Sequence, residues 1–235
     1  MRLFLVSDRT VRPSEPIVRL LGEAAAAGVD RVLVREKDLP DRARYELACA
    51  AIEACRPHGC RVYLSGRPDM VLASGADGVH LPALGLSVSQ ARALLGPKLE
   101  IGVSTHSLEE ARFAQQAGAD YVFLGPVFPT PGKGPTLGVE ALAVAVRDLT
   151  IPVYAIGGID KDTASEVAEI PLAGVALIRG ILSEPDVPAA VGVLRERLSL
   201  VRFGVAEVEE DDPEEDEDDE DSDEENPGDQ GWGVG

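Results

Sequence analysis

The feature that most constrains the fold of this chain is an eightfold alternation of two hydrophobic patterns. Short apolar runs, rich in β-branched residues, predict strands, and longer amphipathic, alanine-rich stretches predict helices. The predicted strands are Leu3–Val6, Arg31–Val34, Arg61–Leu64, Gly78–His80, Glu100–Val103, Tyr121–Leu124, Pro152–Ile156 and Gly174–Ile178. The predicted helices are Pro16–Ala27, Asp41–Pro57, Pro68–Ala73, Ser87–Leu95, Leu108–Gln116, Val139–Arg147, Asp162–Ala168 and Asp186–Leu200.

A repeated phrase introduces several of these strands. It reads Ala27-Gly28-Val29-Asp30, then Ser74-Gly75-Ala76-Asp77-Gly78, then Ala117-Gly118-Ala119-Asp120-Tyr121. In each copy we expect the glycine to end a helix in the left-handed conformation. Recurrence at intervals of roughly 45 residues indicates repeated βα units. Eight such units predict an α/β fold, a single-domain (β/α)8 TIM barrel, rather than a doubly wound sheet with fewer strands.

The charge of the chain is concentrated at one end. Of 41 acidic and 22 basic residues, 17 acids and no bases lie between Glu207 and Gly235. The remainder is therefore close to neutral, with 24 acids against 22 bases. A like-charged segment with few apolar residues cannot bury enough surface to offset its ordering entropy. We therefore predict a barrel over 1–204 and a disordered acidic tail over 205–235.

Composition also excludes several classes of function. Without a basic patch, and with an acidic tail, the chain is not expected to bind nucleic acid. The first apolar run ends at Asp8 and Arg9, too early for a signal or a membrane span. Three cysteines, Cys49, Cys55 and Cys60, lack a Cys-x-x-Cys spacing. An odd count without an export signal favours a reducing, cytoplasmic location.

Polar residues follow the predicted strands, where the active site of such a barrel lies. Four of them are cations that could meet at one mouth: Arg35, Lys37, Lys133 and Arg179. Gly157-Gly158 after strand seven and Ile178-Arg179-Gly180 after strand eight occupy the usual phosphate-binding loops of the fold. The long loop after strand six, which carries Lys133, suits a clamp over a ligand. These features predict an anionic, phosphate-bearing small-molecule ligand.

Ser104 and His106 follow strand five and are candidates for polar chemistry. Ser104 is expected to face inward, and His106 could serve as an acid or base. A second interpretation of His106 is that it belongs to the start of the next helix, where Ser107 and Glu110 have the spacing of a capping box.

Six segments together resemble the thiamine-phosphate synthase / TenI family of (β/α)8 barrels. They run in order from strand one to strand seven: Val6–Arg9, Val34–Lys37, Gly75–Leu81, Gly102–Ser107, Gly125–Thr130 with Lys133, and Ala155–Ile159. The resemblance implies one of two activities. Synthases join a pyrimidine diphosphate to a thiazole phosphate, expelling pyrophosphate with magnesium, whereas TenI-type members aromatise the thiazole phosphate by moving a proton without metal.

The chain departs from both patterns. Ser65-Gly66 stand where synthases have Asn-Asp, and Pro82–Gly85 replace Gly-Gln-x-Asp, so both implied magnesium carboxylates are missing. Leu33 replaces a glutamine, and Gly132 replaces the second threonine of the pyrophosphate clamp. The strand-six histidine of the tautomerases is Pro126 here, and proline cannot transfer a proton.

Three hypotheses follow. The first is a TenI-like enzyme that binds a thiazole phosphate or thiamine-type phosphate, as a tautomerase, without a cofactor. The second is a thiamine-phosphate synthase, with Mg2+ held by Asp8, Glu36, Asp69 or the substrate. The third is a non-catalytic phosphate-ligand sensor or scaffold whose tail recruits a basic partner. A homo-oligomer remains compatible with all three.

The predicted catalytic residues are Lys37, Ser104 and His106. The predicted phosphate-binding residues are Arg35, Lys37, Ser104, Thr130, Lys133, Gly157, Gly158, Ile178, Arg179 and Gly180.

Overall fold

The computed structural model describes residues 1–199. The predicted acidic tail, and the last residues of the predicted barrel domain, lie outside the described residues. Among the described helices, none combines the length and the apolar composition that crossing a bilayer requires.

Eight strands alternate with helices along this part of the chain. The strands are β1 Arg2–Val6, β2 Arg31–Val34, β3 Arg61–Ser65, β4 Gly78–Leu81, β5 Glu100–Thr105, β6 Tyr121–Leu124, β7 Val153–Ile156 and β8 Gly174–Leu177. The helices are α1 Ile17–Ala26, α2 Asp41–Cys55, α3 Pro68–Ser74, α4 Val88–Leu95, α5 Leu108–Gln116, α6 Gly138–Asp148, α7 Ala164–Ala168, α8 Arg179–Leu182 and α9 Val187–Ser199. A single 3-10 turn, Arg56–His58, follows α2 because Pro57 cannot continue its hydrogen-bonding pattern.

The strands form a closed, wholly parallel barrel in sequence order, with β8 paired to β1. The (β/α)8 fold predicted from the sequence is thereby confirmed. Alternate side chains of each strand point to opposite faces. In β1, Phe4 and Val6 enter the barrel interior, while Leu3 and Leu5 pack outward against the helices. Strands covered on both faces are apolar throughout, which explains their uninterrupted hydrophobic runs.

The repeated Gly-x-Asp phrase has a structural role beyond its glycine. The three glycines, Gly28, Gly75 and Gly118, have positive φ angles of 109°, 74° and 90°. Each following aspartate accepts a backbone N–H from the start of the preceding strand. Asp30 bonds to Leu3 N and Asp77 to Val62 N, both at 2.8 Å, and Asp120 bonds to Ile101 N at 2.6 Å. The phrase therefore fastens neighbouring strands at the amino-terminal end of the barrel.

Several strands end one or two residues away from the predicted position at the mouth, and two of these differences involve predicted site residues. Strand β5 continues through Ser104 and Thr105, since both stay in register with β6, opposite Phe123 and Leu124. The predicted turn after strand eight begins instead a short helix, α8, at Arg179. Four residues are too few to show a helical hydrophobic period, so this helix left no sequence signal.

Candidate functional site

The carboxyl ends of β1 and β2 are joined by a buried polar contact. The Ser7 hydroxyl donates to Glu36 Oε1 at 2.7 Å and accepts the N–H of Arg35 at 2.9 Å. Glu36 also accepts the N–H of Arg9 at 3.2 Å and is 3% exposed. These bonds fix the backbone from which Arg35 and Lys37 extend, so a small hydroxyl positions two cations.

Two of the predicted phosphate-binding cations, Arg35 and Lys133, act on the pKa of a third, Lys37. The pKa of Lys37 is lowered, first by partial burial and then by the positive charges of Arg35, Lys133 and Arg44. Such an effect requires the charges to lie close together. Although they come from two different βα loops and from α2, they therefore form one positive region at the carboxyl end of the barrel.

Arg44 was absent from the sequence-based candidates. It lies in α2, and its guanidinium donates to the carbonyl of Glu36 at 3.2 Å and to that of Lys37 at 2.6 Å. It thus holds the loop after β2 in place. A helical arginine looks in sequence like an ordinary surface residue, so no signal marked it.

The predicted residue Ser104 contacts a buried histidine. His80 Nε2 lies 2.8 Å from Ser104 Oγ, and His80 Nδ1 lies 3.3 Å from the Tyr121 hydroxyl. The ring is 3% exposed, and its centroid is 4.1 Å from that of Phe123. Burial, followed by the positive charges of Lys37 and Arg35, lowers the pKa of His80 to about 3. The cations and Ser104 therefore border the same end of the barrel interior.

His106 occupies a different environment. Its backbone N–H and its Nδ1 contact Glu110 Oε2 at 2.8 and 3.2 Å, and its side chain is about half exposed. Ser107 caps α5 by accepting the N–H of Glu110 at 3.1 Å. These contacts match the helix-start interpretation of His106. The histidine that touches Ser104 is His80.

The loop after β6 lies against the two glycines after β7. Val127 N donates to Ile156 O at 2.9 Å, and Phe128 N donates to Gly157 O at 3.0 Å. A Cβ on Gly157 would come within 2.7 Å of Pro126 Cα, and one on Gly158 within 2.6 Å of Phe128 Cβ.

Thr130 stands beside Gly157 in this arrangement. Its hydroxyl donates to Phe128 O and lies 3.3 Å from where a Cβ on Gly157 would be. The two glycines therefore allow the loop after β6 to pack on the end of strand seven. This packing explains the Gly157-Gly158 sequence whether or not a ligand is bound.

The strand-eight segment also adjoins the strand-seven loop. A Cβ on Gly180 would meet Ile159 O at 2.6 Å, and Ile178 is partly buried against both parts of the core. The turn Ile178–Gly180 therefore lies beside the loop after strand seven, as predicted. Arg179 is exposed at the start of α8 and is not one of the charges that act on the pKa of Lys37.

The carboxylates available for magnesium have other partners. Glu36 is held by Ser7 and by Arg9, and Asp69 pairs with both nitrogens of the Arg67 fork at 2.9 and 2.7 Å. Asp8 accepts the backbone N–H and the hydroxyl of Thr10. Within residues 1–199, no three His, Cys, Asp or Glu side chains form a group suited to a metal ion. Magnesium is usually held by one or two carboxylates together with substrate phosphates. Glu36 and Asp69 are already engaged by basic side chains, so these residues do not form a magnesium site by themselves.

These features define the chain as a (β/α)8 barrel with a positively charged mouth suited to an anionic substrate. The family model described as thiamine monophosphate synthase (TMP-TENI) matches residues 3–181. The chain belongs to this family, as its motifs predicted.

Relatives over most of the barrel support the same assignment. A Geobacter sulfurreducens protein provisionally named thiamine-phosphate synthase is 41% identical over 187 residues, covering 78% of this chain and 88% of its own. The thiamine-phosphate synthase of Pyrococcus furiosus is 36% identical over 198 residues, covering 83% and 94%. A solved thiamine phosphate pyrophosphorylase from that organism superposes with a TM-score of 0.79 over 85% of this chain and 96% of its own.

Proposed function

We propose that this chain is a thiamine-phosphate synthase, which joins a pyrimidine diphosphate to a thiazole phosphate and releases pyrophosphate. The observation that carries the proposal is that relatives matching most of this chain bear that name, and the loops after β2 and β6 place Arg35, Lys37 and Lys133 at the same end of the barrel. When the bond from carbon to the diphosphate oxygen breaks, the leaving group keeps the electron pair. Positive side chains already in place stabilise that developing negative charge.

The tautomerase hypothesis finds less support. Its reaction depends on a group that can take and return a proton. Pro126 occupies the loop position of the family's tautomerase histidine, and His106 contacts Glu110 on the surface. A diphosphate also needs more compensating charge than the single phosphate of a tautomerase substrate, which suits three cations better.

The roles within the proposed site follow from position. Arg35 and Lys37, anchored through Ser7 and Glu36, and Lys133 from the strand-six clamp would bind phosphoryl oxygens. Ser104 would donate a hydrogen bond to the substrate, and Thr130, Gly157, Gly158 and the turn Ile178–Gly180 would enclose the phosphate. Because the nearby carboxylates are paired, we assign no step to a protein-bound metal.

The direct test supplies the protein with both substrates, with and without magnesium. We expect thiamine phosphate and pyrophosphate to appear in equal amounts. Lys133→Ala should reduce kcat/KM about tenfold or more, the usual cost of losing a charged hydrogen bond. Lys98→Ala is the matched control, because Lys98 is an exposed lysine between α4 and β5, at the other end of the barrel.

Two results would contradict the proposal. One is thiamine phosphate no higher than background from the unaltered protein under all conditions. The other is conversion of the thiazole phosphate tautomer by the protein alone, which would restore the TenI hypothesis. Ligand binding without either reaction would favour the sensor hypothesis.

A further inference from the structure

A buried hydrogen-bonded series connects the barrel interior to the mouth. It runs from the Tyr121 hydroxyl to His80 Nδ1, at 3.3 Å, and from His80 Nε2 to Ser104 Oγ, at 2.8 Å. Tyr121 and His80 are 1% and 3% exposed, whereas Ser104 is partly exposed. The series therefore begins in the core and ends at a hydroxyl that a ligand can reach.

The protonation of each member follows from its surroundings. Burial, together with the charges of Lys37 and Arg35, lowers the pKa of His80, so the ring is neutral near pH 7 and carries one N–H. Burial, followed by the neighbouring Tyr63, raises the pKa of Tyr121, so its hydroxyl keeps its proton. Arg31 acts in the opposite direction on Tyr121, and Glu100 and Tyr154 act in the same direction as burial.

Hydrogen-bond accounting then selects the tautomer of His80. Within residues 1–199 the Tyr121 hydroxyl has one hydrogen-bond partner, His80 Nδ1. If Nδ1 carried the proton, the buried phenol proton would have no acceptor, which costs about 1–3 kcal/mol. If Nδ1 is the acceptor, both groups are satisfied. The ring proton then lies on Nε2 and is donated to Ser104 Oγ.

This direction of donation decides what Ser104 can do. A hydroxyl that already accepts a hydrogen bond has its own proton left to donate. Among the described residues, Ser104 Oγ has no hydrogen-bond partner other than His80. Its proton is therefore available to an oxygen that enters the mouth beside Arg35 and Lys37.

We propose that His80, held by Tyr121 as the Nε2–H tautomer, is a positioning residue that fixes Ser104 as a hydrogen-bond donor to a phosphoryl oxygen of the substrate. The proposal rests on the proposed function in that it places substrate phosphate at this mouth. His80 itself touches no substrate. Its Nε2–H donates to the Ser104 oxygen and so orients the hydroxyl, whose own proton then points away from the ring and toward the mouth.

The first experiment measures the dissociation constant of inorganic pyrophosphate for the full chain and for its variants. His80→Leu replaces the ring with an apolar side chain and removes the donor, and Ser104→Ala removes the hydroxyl. Ser104→Ala should weaken binding about tenfold, the loss expected for one charge-assisted hydrogen bond, and His80→Leu should weaken it less, because the hydroxyl remains but has lost the donor that orients it. Because both act through one bond, the double variant should be no weaker than Ser104→Ala alone.

Two further variants separate positioning from folding. His80→Gln can place an amide N–H near the position of Nε2 and should recover most of the affinity. Thr105→Val is the matched control, since the Thr105 hydroxyl is buried in the same strand and donates to Phe123 O at 2.9 Å. That variant should lose stability but bind pyrophosphate as the unaltered protein does.

The second experiment reads the tautomer directly by 15N NMR of the imidazole in the full chain. We expect the proton on Nε2 of His80, and we expect Tyr121→Phe to produce a mixture of the two tautomers. A proton on Nδ1 in the unaltered protein would overturn the proposal. Multiplicative losses in the double variant, an unchanged affinity in His80→Leu, or no pyrophosphate binding by the unaltered protein would do so as well.

Failure of the proposed function leaves a different pattern. If no thiamine phosphate forms, while the tautomer and the non-additive pyrophosphate affinities are as expected, the synthase assignment is wrong and His80 still positions Ser104. If turnover is normal but Nδ1 carries the proton, only the positioning role is wrong.

Discussion

Single residues at the mouth depend on buried partners that do not themselves reach it. The Ser7 hydroxyl connects the Arg35 backbone to Glu36, and the His80 ring contacts Ser104. A hydroxyl or a neutral imidazole can donate one hydrogen bond and accept another at the same time. Each can therefore orient a neighbouring group without placing its own charge in the interior. The backbone that carries Arg35 is thereby fixed while the Arg35 side chain stays partly exposed, and the charge buried in this contact is that of Glu36.

His80 should make the stability of the protein sensitive to acid. The unfolded chain binds a proton on this histidine near pH 6.5, whereas the folded chain binds it only near pH 3. Lowering the pH through this window therefore favours the unfolded state, by about 1.4 kcal/mol per pH unit for one proton. Urea unfolding of His80→Gln between pH 6.5 and 5 should show a smaller loss of stability than the unaltered protein.

The exposed His58 provides the control for this measurement. His58→Gln should keep the full pH dependence, since His58 lies on the surface and away from the barrel interior. Equal slopes for His80→Gln and the unaltered protein would show that His80 is protonated in the folded chain at mild pH.

At the scale of elements, the site depends on how the strand-six loop packs on strand seven. The loop donates hydrogen bonds to carbonyls of Ile156 and Gly157, and Phe128 approaches Gly158 too closely for any side chain there. Sequence patterns predicted that both segments are ligand-binding loops. They did not show that the loops bind each other, because the backbone contact joins residues about 30 positions apart along the chain.

Gly158→Ala should displace this loop and weaken pyrophosphate binding. The new Cβ would meet Phe128 Cβ at 2.6 Å, and the expected cost in unfolding free energy is about 1–3 kcal/mol beyond that of the left-handed backbone. Gly75→Ala is the control, with a similar φ of 74° against 68° and no atom within 4 Å. Equal losses of stability in the two variants would mean that the loop adapts to the extra carbon.

At the scale of the whole molecule, the two ends of the barrel differ in how their charged side chains are paired. The carboxyl end carries the cations, and a partly buried ion pair lies near the amino end. The Arg31 guanidinium pairs with Glu100 at 2.5 Å and lies 5.2–6.0 Å from the ring centres of Phe4, Tyr63, Tyr121 and Tyr154. This pair and the aromatic rings fill the interior beneath the site.

Removing one partner of this pair should destabilise the entire barrel. Arg31→Met leaves the more exposed Arg61 as the remaining counter-charge of Glu100. It should lower the unfolding free energy by about 2 kcal/mol, less than for a fully buried pair. Adding Glu100→Gln should restore part of that loss, because the incompletely paired charge is then gone. Urea denaturation of the two single variants and the double variant measures the coupling. Additive losses would show that the pair contributes no more than two separate contacts.

The sequence by itself determined the barrel, the family and the order of the loops around the mouth. Hydrophobic periodicity and turn glycines are local signals, and a strand followed by a helix eight times leaves few topologies. It also predicted that Arg35, Lys37 and Lys133 lie at one end of the barrel, since charged residues after parallel strands share that end. The boundaries of β5 and the short α8 were beyond it, because neighbouring strands and not local pattern decide them.

Only the tertiary structure decided which side chains form hydrogen bonds and ion pairs with one another. His80 looked like a strand residue, yet its ring lies between Tyr121 and Ser104, which are 41 and 24 positions away in the chain. The carboxylates that might have bound magnesium became partners of Arg9, Arg67 and Thr10. Hydrogen bonding, burial and charge pairing depend on distances between residues far apart in sequence, and these distances exist only once the barrel has closed.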